Sequence, residues 1–187
     1  METLSHLQGR LCLFKGDAKF EQAQLAEWTT KFCRLFSIDE GRTQAIFIDT
    51  PAQLRAVLDE LLVLAKRCGV NMEMAVWAKY PNICPYCLKK PCSCGPRKTK
   101  LHKRLDTPPP QGGLTLGNLQ RMLGDIYPNH TSLLQECLDV IEEVTESSLE
   151  VWSSKDRRRV EEEFADTFAR LIRLANTLGV PLEGIIP

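Results

Sequence analysis

Three absences narrow the field before any motif is considered. The 187-residue chain has no run of roughly 18 uncharged apolar residues, the length a bilayer-crossing helix requires, so no membrane span is expected. Residues 1–16 mix polar and apolar types without the continuous apolar stretch of a secretory leader, so none is expected there. Alternating β-branched runs are scarce. Ala45-Ile46-Phe47-Ile48 is the one strand-like piece, which points to an all-α fold. Net charge is missing too, with 24 Lys+Arg against 24 Asp+Glu. That balance hides a polarity: residues 114–187 carry 7 and 13, and residues 1–113 carry 17 and 11. Such a split suits either mutual packing or an acidic metal site facing a basic anion-binding surface.

Cysteine, in contrast, is plentiful. Cys84, Cys87, Cys92 and Cys94 fall within eleven residues, while Cys12, Cys33, Cys68 and Cys137 are scattered among apolar neighbours. A secreted disulfide framework would not be arranged this way, so a reducing, cytoplasmic location is expected. The C-x2-C-x4-C-x-C spacing fits one tetrahedral Zn²⁺ with four thiolate ligands. Four protein ligands leave no position for water, so the ion's role is expected to be structural. A strained pair of disulfides is the alternative. Lys89, Lys90, Arg97 and Lys98 flank the cluster, but nothing supports base readout, so no nucleic-acid partner is expected.

The chain repeats itself. Thr3-Leu4-Ser5-His6-Leu7-Gln8-Gly9-Arg10-Leu11 returns as Thr115-Leu116-Gly117-Asn118-Leu119-Gln120-Arg121-Met122-Leu123, 112 positions later. Leu64-Ala65-Lys66-Arg67-Cys68-Gly69-Val70-Asn71-Met72-Glu73 returns as Leu174-Ala175-Asn176-Thr177-Leu178-Gly179-Val180-Pro181-Leu182-Glu183, 110 positions later. Two matches in the same order at nearly one offset suggest a divergent duplication. The expected organisation is a first copy over 1–80, a zinc knuckle over 81–95, a basic and Pro/Gly-rich linker over 96–113, and a second copy over 114–187. The second copy reads as three helices. Leu116, Leu119, Leu123 and Ile126 line the first, which stops at Pro128. Thr131 or Ser132 caps the next, with Leu134, Leu138, Ile141 and Val144 on its apolar side. Ser153 or Ser154 starts the third, with Val160, Phe164, Phe168, Leu171, Ala175 and Leu178 on one face and Gly179 ending it. In the first copy a similar helix spans about 52–68, stopped by Gly69.

Glu136 and Asp139 on one helix, and Glu163 and Asp166 on the next, each share a face at i, i+3. Packed antiparallel, these helices can converge four carboxylates, a hard-oxygen set suited to Mg²⁺. Glu143 and Glu146 extend the acidic face. An ordinary solvated face is the alternative. Arg170 and Arg173 follow Asp166 on about the same face and are candidate phosphate partners, as are Lys155 and Arg158 in the basic run that opens the last helix. Trp152 and Tyr127 could stack on a base, although packing is their commoner use.

The words around these carboxylates resemble the MazG-like family: Leu133-Leu134-Gln135-Glu136-Cys137-Leu138-Asp139, then Glu161-Glu162-Glu163-Phe164-Ala165-Asp166-Thr167-Phe168, then Leu174 through Glu183. That family carries an E-E-x-x-E helix, then an E-x-x-D helix running into L-A-x-x-L-G-x-x-L-E. The resemblance covers about 70 residues, with Gln135 and Asp139 departing from the pattern. It implies a tandem MazG-like helical bundle with an inserted knuckle. It implies Mg²⁺ held by Glu136, Asp139, Glu163 and Asp166, and hydrolysis of a nucleoside triphosphate to the monophosphate and pyrophosphate. The first copy aligns Gln53 and Ala56 with Glu163 and Asp166, and residues 29–33 hold no carboxylate, so that copy is expected to be a silent scaffold. A fused pair implies a pseudo-dimer within the chain, with a homodimer as a further arrangement. The rival is a non-catalytic scaffold that binds nucleotide, nucleic acid or protein.

Overall fold

The computed structural model describes residues 3–8, 50–94, 107–128, 132–153 and 156–183. Among these residues there are six helices and no strand, so the all-α expectation is met. They are α1 (4–8), α2 (Thr50–Arg67), α3 (Met72–Lys79), α4 (Leu116–Ile126), α5 (Leu133–Ser153) and α6 (Arg157–Thr177). The strand-like residues 45–48, residues 29–33 and the basic part of the linker lie outside the described residues. No helix is long and apolar enough to cross a membrane among the described residues.

Short polar side chains start the helices by satisfying amide donors that have no carbonyl partner. Thr115 caps α4 by accepting from the Asn118 N–H (3.1 Å), and Ser132 accepts from the Gln135 N–H (3.2 Å) at the head of α5. The start of α6 differs from expectation. Ser153 closes α5, its hydroxyl turned back on the Leu149 carbonyl, and Asp156 caps α6 by accepting from the Arg158 N–H (2.9 Å). A carboxylate at that position also meets the positive end of the helix dipole.

Helix α6 is the hub. It packs against α2, α3, α4 and α5, so one core joins both halves of the sequence. Of the expected stripe, Phe164, Phe168, Leu171 and Ala175 are buried and Val160 and Leu178 partly so, while Ala165, Thr167, Ala169, Ile172 and Leu174 are buried as well. A single stripe underestimates a helix touched on several sides. Phe164 and Phe168 are wholly enclosed, and truncating such a side chain to Ala typically costs about 3–5 kcal/mol.

Helix α5 is rotated from expectation. Leu134, Leu138 and Ile141 are exposed, and of the expected line only Val144 is buried. The inward stripe is Cys137, Val140, Val144 and Ser147, with Glu136 beside it at 0% exposure. The larger residues signalled the apolar face, but the ion pairs and the Ser147–Thr167 hydroxyl contact (2.6 Å) between α5 and α6 set the rotation.

The two repeated words fold alike. After α2 the Gly69 N–H donates to Lys66 O (2.9 Å) and Val70 N–H to Ala65 O (2.8 Å). After α6 the Gly179 N–H donates to Asn176 O (3.1 Å) and Val180 N–H to Ala175 O (2.9 Å). Both glycines sit at positive φ, +75° and +66°, as this helix-ending turn requires. A glutamine then clamps each turn. Gln8 Nε2 donates to Val70 O and Leu62 O (3.0 Å each), and its Oε1 accepts from Met72 N–H (3.2 Å). Gln120 Nε2 donates to Val180 O, and its Oε1 accepts from Leu182 N–H (2.8 Å each).

Candidate functional site

The four clustered cysteines close into a knuckle between α3 and α4. Their sulfurs lie within 4.8 Å of one another, at 3.4 Å for Cys84–Cys92, 3.7 Å for Cys84–Cys94 and 3.9 Å for Cys87–Cys92. Four thiolates about 2.3 Å from a tetrahedral Zn²⁺ would stand about 3.8 Å apart, so this set could hold a metal such as zinc. A disulfide would need about 2.05 Å, and all four cysteines are free. Burial raises the Cys87 thiol, but amide donation from Ser93 and Lys89 and bonds from Cys84 and Cys94 outweigh it and bring the group down to about 6. The knuckle is tied into the core. Cys92 N–H donates to Ile126 O (2.7 Å) at the end of α4, Lys90 pairs with Asp125 (2.8 Å), and Tyr127 Oη lies 3.8 Å from the Cys84 sulfur.

Beside the knuckle is a cavity of about 170 Å³. Tyr86 from the knuckle, together with Tyr80 and Tyr127, forms its aromatic wall, and Glu142, Glu143, Glu146, Asp166, Arg170 and Arg173 supply its charge. The antiparallel α5–α6 pair builds the charged wall as a ladder. Arg173 donates to Glu136 (2.6 Å), and Arg170 donates to Asp139 (2.6 Å) and Glu143 (3.2 Å). Arg173 also stacks over the Tyr127 ring, 5.2 Å from its centroid.

The convergent carboxylates are therefore not the expected four. Glu163 and Asp166 do come together, but their companion is Glu143, and these three present oxygens within 4.8 Å of one another. Glu136 and Asp139 lie nearer the start of α5, facing Arg173 and Arg170. Helical spacing placed them on the right face but at the wrong level. The expected phosphate partners Arg170 and Arg173 do line the cavity. Arg158 does not; it pairs with Glu162 (3.2 Å) on an exposed surface. Lys155 and the Trp152 side chain lie outside the described residues.

Two residues at the site come from the first half and carried no obvious signal. Lys79 ends α3 with its ammonium on Asp166 Oδ2 and the Glu162 carbonyl, and the Tyr80 hydroxyl donates to Asp166 Oδ1 (2.5 Å). The available hint was that Glu73 and Lys79 are the only charges in an otherwise apolar eight-residue helix, a place where charge needs a buried partner. Glu73 finds its own: its carboxylate accepts from the Ser5 N–H (3.0 Å) and the Leu114 N–H (2.8 Å), stapling the halves together.

Crowded negative charge perturbs the cluster. Burial first, then Asp166, pushes Glu143 up to about 7 against the opposing pull of Arg170. Burial and Asp166 likewise push Glu163 to about 7, with Lys79 opposing. The Tyr86 hydroxyl rises to about 12 for the same two reasons. Glu163 Oε2 is buried with no hydrogen-bond partner among the described residues. Surplus carboxylate charge and an orphaned oxygen fit a divalent cation held by oxygen ligands. No protein-family model, no curated protein and no solved structure gives a significant match to this chain.

Proposed function

We propose that this chain is a Mg²⁺-dependent nucleoside triphosphate pyrophosphohydrolase of MazG-like type, working at the α5–α6 cavity. The convergence of Glu143, Glu163 and Asp166 beside two arginines carries the reading. An acidic trio suits a hard cation, and guanidinium groups suit the remaining phosphate charge. When bound there, Mg²⁺ would offset polyphosphate charge and make a water more nucleophilic at the α-phosphorus. Glu143, Glu163 and Asp166 would hold the ion, with Glu143 taking the place expected for Glu136 and Asp139. Those two instead fix Arg173 and Arg170 toward the cavity. Glu146, an exposed carboxylate on the wall, can accept the proton of an attacking water. Tyr86 and Tyr127 close the aromatic side, where a base or sugar can pack. The four-cysteine knuckle, with structural zinc, holds that side in place.

A second reading draws on one observation. The Lys79 ammonium already rests on Asp166, as a permanent counter-ion would in a non-catalytic, nucleotide-binding scaffold. Pyrophosphate release from a nucleoside triphosphate panel, with and without Mg²⁺, separates the two. Wild type should turn over at least one nucleotide only with the metal, and Glu163→Gln and Asp166→Asn should each lose a hundredfold or more. That corresponds to about 2.7 kcal/mol or more of transition-state stabilisation. Undiminished rates in both variants, or no turnover by wild type, would remove the catalytic reading.

A further inference from the structure

We propose that Lys79 occupies the place of a divalent cation at Asp166 and competes with it, so that this one ammonium sets the metal affinity of the site. The inference rests on the divalent-cation reading above and adds a residue from the other half of the chain.

Lys79 is an unusual lysine. Its side chain is 7% exposed, and it enters the acidic cluster from the end of α3, a helix whose remaining buried residues are mostly apolar. Its Nζ donates to Asp166 Oδ2 and to the Glu162 carbonyl at 3.3 Å. The adjacent Tyr80 hydroxyl takes Asp166 Oδ1, so two consecutive residues of the first half engage both oxygens of one carboxylate. Asp166 is also the member shared by the trio with Glu143 and Glu163. A cation binding that trio must therefore contend with the ammonium already on it.

The charge balance favours exchange. Glu143, Glu146, Glu163 and Asp166 gather on the cation side, while Arg170 is shared between Glu143 and Asp139. One ammonium leaves negative charge over, and the buried Glu163 Oε2 has no partner among the described residues. A doubly charged ion would satisfy the cluster better than the single charge it displaces. Lysine suits this role because its ammonium is a point charge on a flexible four-carbon stem, with no fixed fork to dismantle. The cavity bordering Asp166 gives the released ammonium a wet place to go, on the side where phosphate charge would sit. An uncompensated buried carboxylate is costly, so the lysine would also protect the fold whenever the metal is absent.

The test is Mn²⁺ binding to the full chain, followed by electron paramagnetic resonance or calorimetry, for wild type and Lys79→Met. The variant keeps the apolar stem and should bind Mn²⁺ at least tenfold more tightly, with a larger rise in melting temperature on adding the ion. Equal or weaker binding by the folded variant would overturn the role of Lys79 and leave the metal reading standing. Binding by the variant alone would support competition while removing metal-dependent turnover by wild type. Binding by neither would end both ideas. In case Lys79→Met does not fold, amine labelling of wild type followed by mass spectrometry provides a second measurement. Mn²⁺ should raise the modification rate of Lys79 fivefold or more, and an unchanged rate would overturn the proposal.

Discussion

The turn after α2 and the turn after α6 are built on the same backbone hydrogen bonds, end on the same positive-φ glycine and are clamped by the same glutamine amide, yet the helices leading into them carry different chemistry. Glu163 and Asp166 on α6 converge with Glu143 of α5, and Asp166 lines the cavity. Their counterparts in the 110-residue offset, Gln53 and Ala56 on α2, are half-buried and exposed. The acidic residue at the end of each repeated word also differs in use. Glu73 is buried and bonds Ser5 and Leu114, whereas Glu183 is exposed, lies against Gly117 and pairs with Arg121 (3.3 Å). Gly117 permits that approach, since a Cβ there would come within 2.0 Å of the Glu183 side chain. Hydrogen bonds that end a helix depend on backbone conformation and tolerate little change, while outward positions on the same helix are free to diverge. The comparison shows one capping device used in two places, with buried charge arranged differently around each.

The largest expected effect comes from separating the halves. Residues 114–187 expressed alone would lose α2 and α3, both packed on α6, together with the Lys79 and Tyr80 contacts to Asp166. A fragment of this size has little core of its own, so it should show no cooperative melting by circular dichroism. A stable folded monomer would instead make the second half self-sufficient and the first dispensable.

Next in size is the knuckle, which has no counterpart in the second half and so marks the asymmetry most clearly. Cys94→Ser should release metal, as read by elemental analysis. If the site contributes about 3 kcal/mol, the melting temperature should fall by about 10 °C for a chain of this length. Native protein that carries no metal and melts unchanged in chelator would count against a structural ion.

The two glutamine clamps can be compared directly by denaturant titration. Gln8 is buried and makes three bonds, and Gln120 is half-buried and makes two. Leaving buried backbone groups unsatisfied costs about 1–3 kcal/mol, so Gln8→Ala should sit near the top of that range and Gln120→Ala near the bottom. A reversed order would mean that the second turn, not the first, carries more of the stability.

The smallest effect is a pH dependence confined to the acidic half. Glu143 faces Asp166, Arg170 and Glu146, and Glu163 faces Asp166, Lys79, Glu146 and Glu143. Both are raised in the folded state from 4.5 to about 7, so folding favours their protonated forms. Their contribution to stability is full below about 4.5 and is lost as pH rises through about 7. Metal-free protein should therefore melt a few degrees lower above that window than within it, by about 2–4 °C for each kcal/mol lost. Glu143→Gln should flatten the profile. A metal-free melting temperature that rises across the window would refute the assignment.

Much of this molecule was legible before any coordinates. The helical class follows from apolar spacing, the cysteine quartet from its own eleven residues, and both helix ends from Gly69 and Gly179, because each depends on neighbours in the chain. The Gln8 and Gln120 clamps lie within the repeated words, although their acceptors do not show in the words themselves. What the spacing of Glu136, Asp139, Glu163 and Asp166 could not supply was the level at which two helices meet. An i, i+3 pair specifies a face, but the offset between antiparallel helices decides which rung meets which. Here that offset sets Arg173 against Glu136 and Arg170 against both Asp139 and Glu143, and it brings Glu143 to Glu163 and Asp166. Lys79 was further out of reach, 87 residues from Asp166. Local sequence determined the helical class, the glycine-ended turns at Gly69 and Gly179 and the clustered sulfurs. Only the tertiary structure decided which charges would share a buried space, because that choice belongs to packing between helices and to no segment alone.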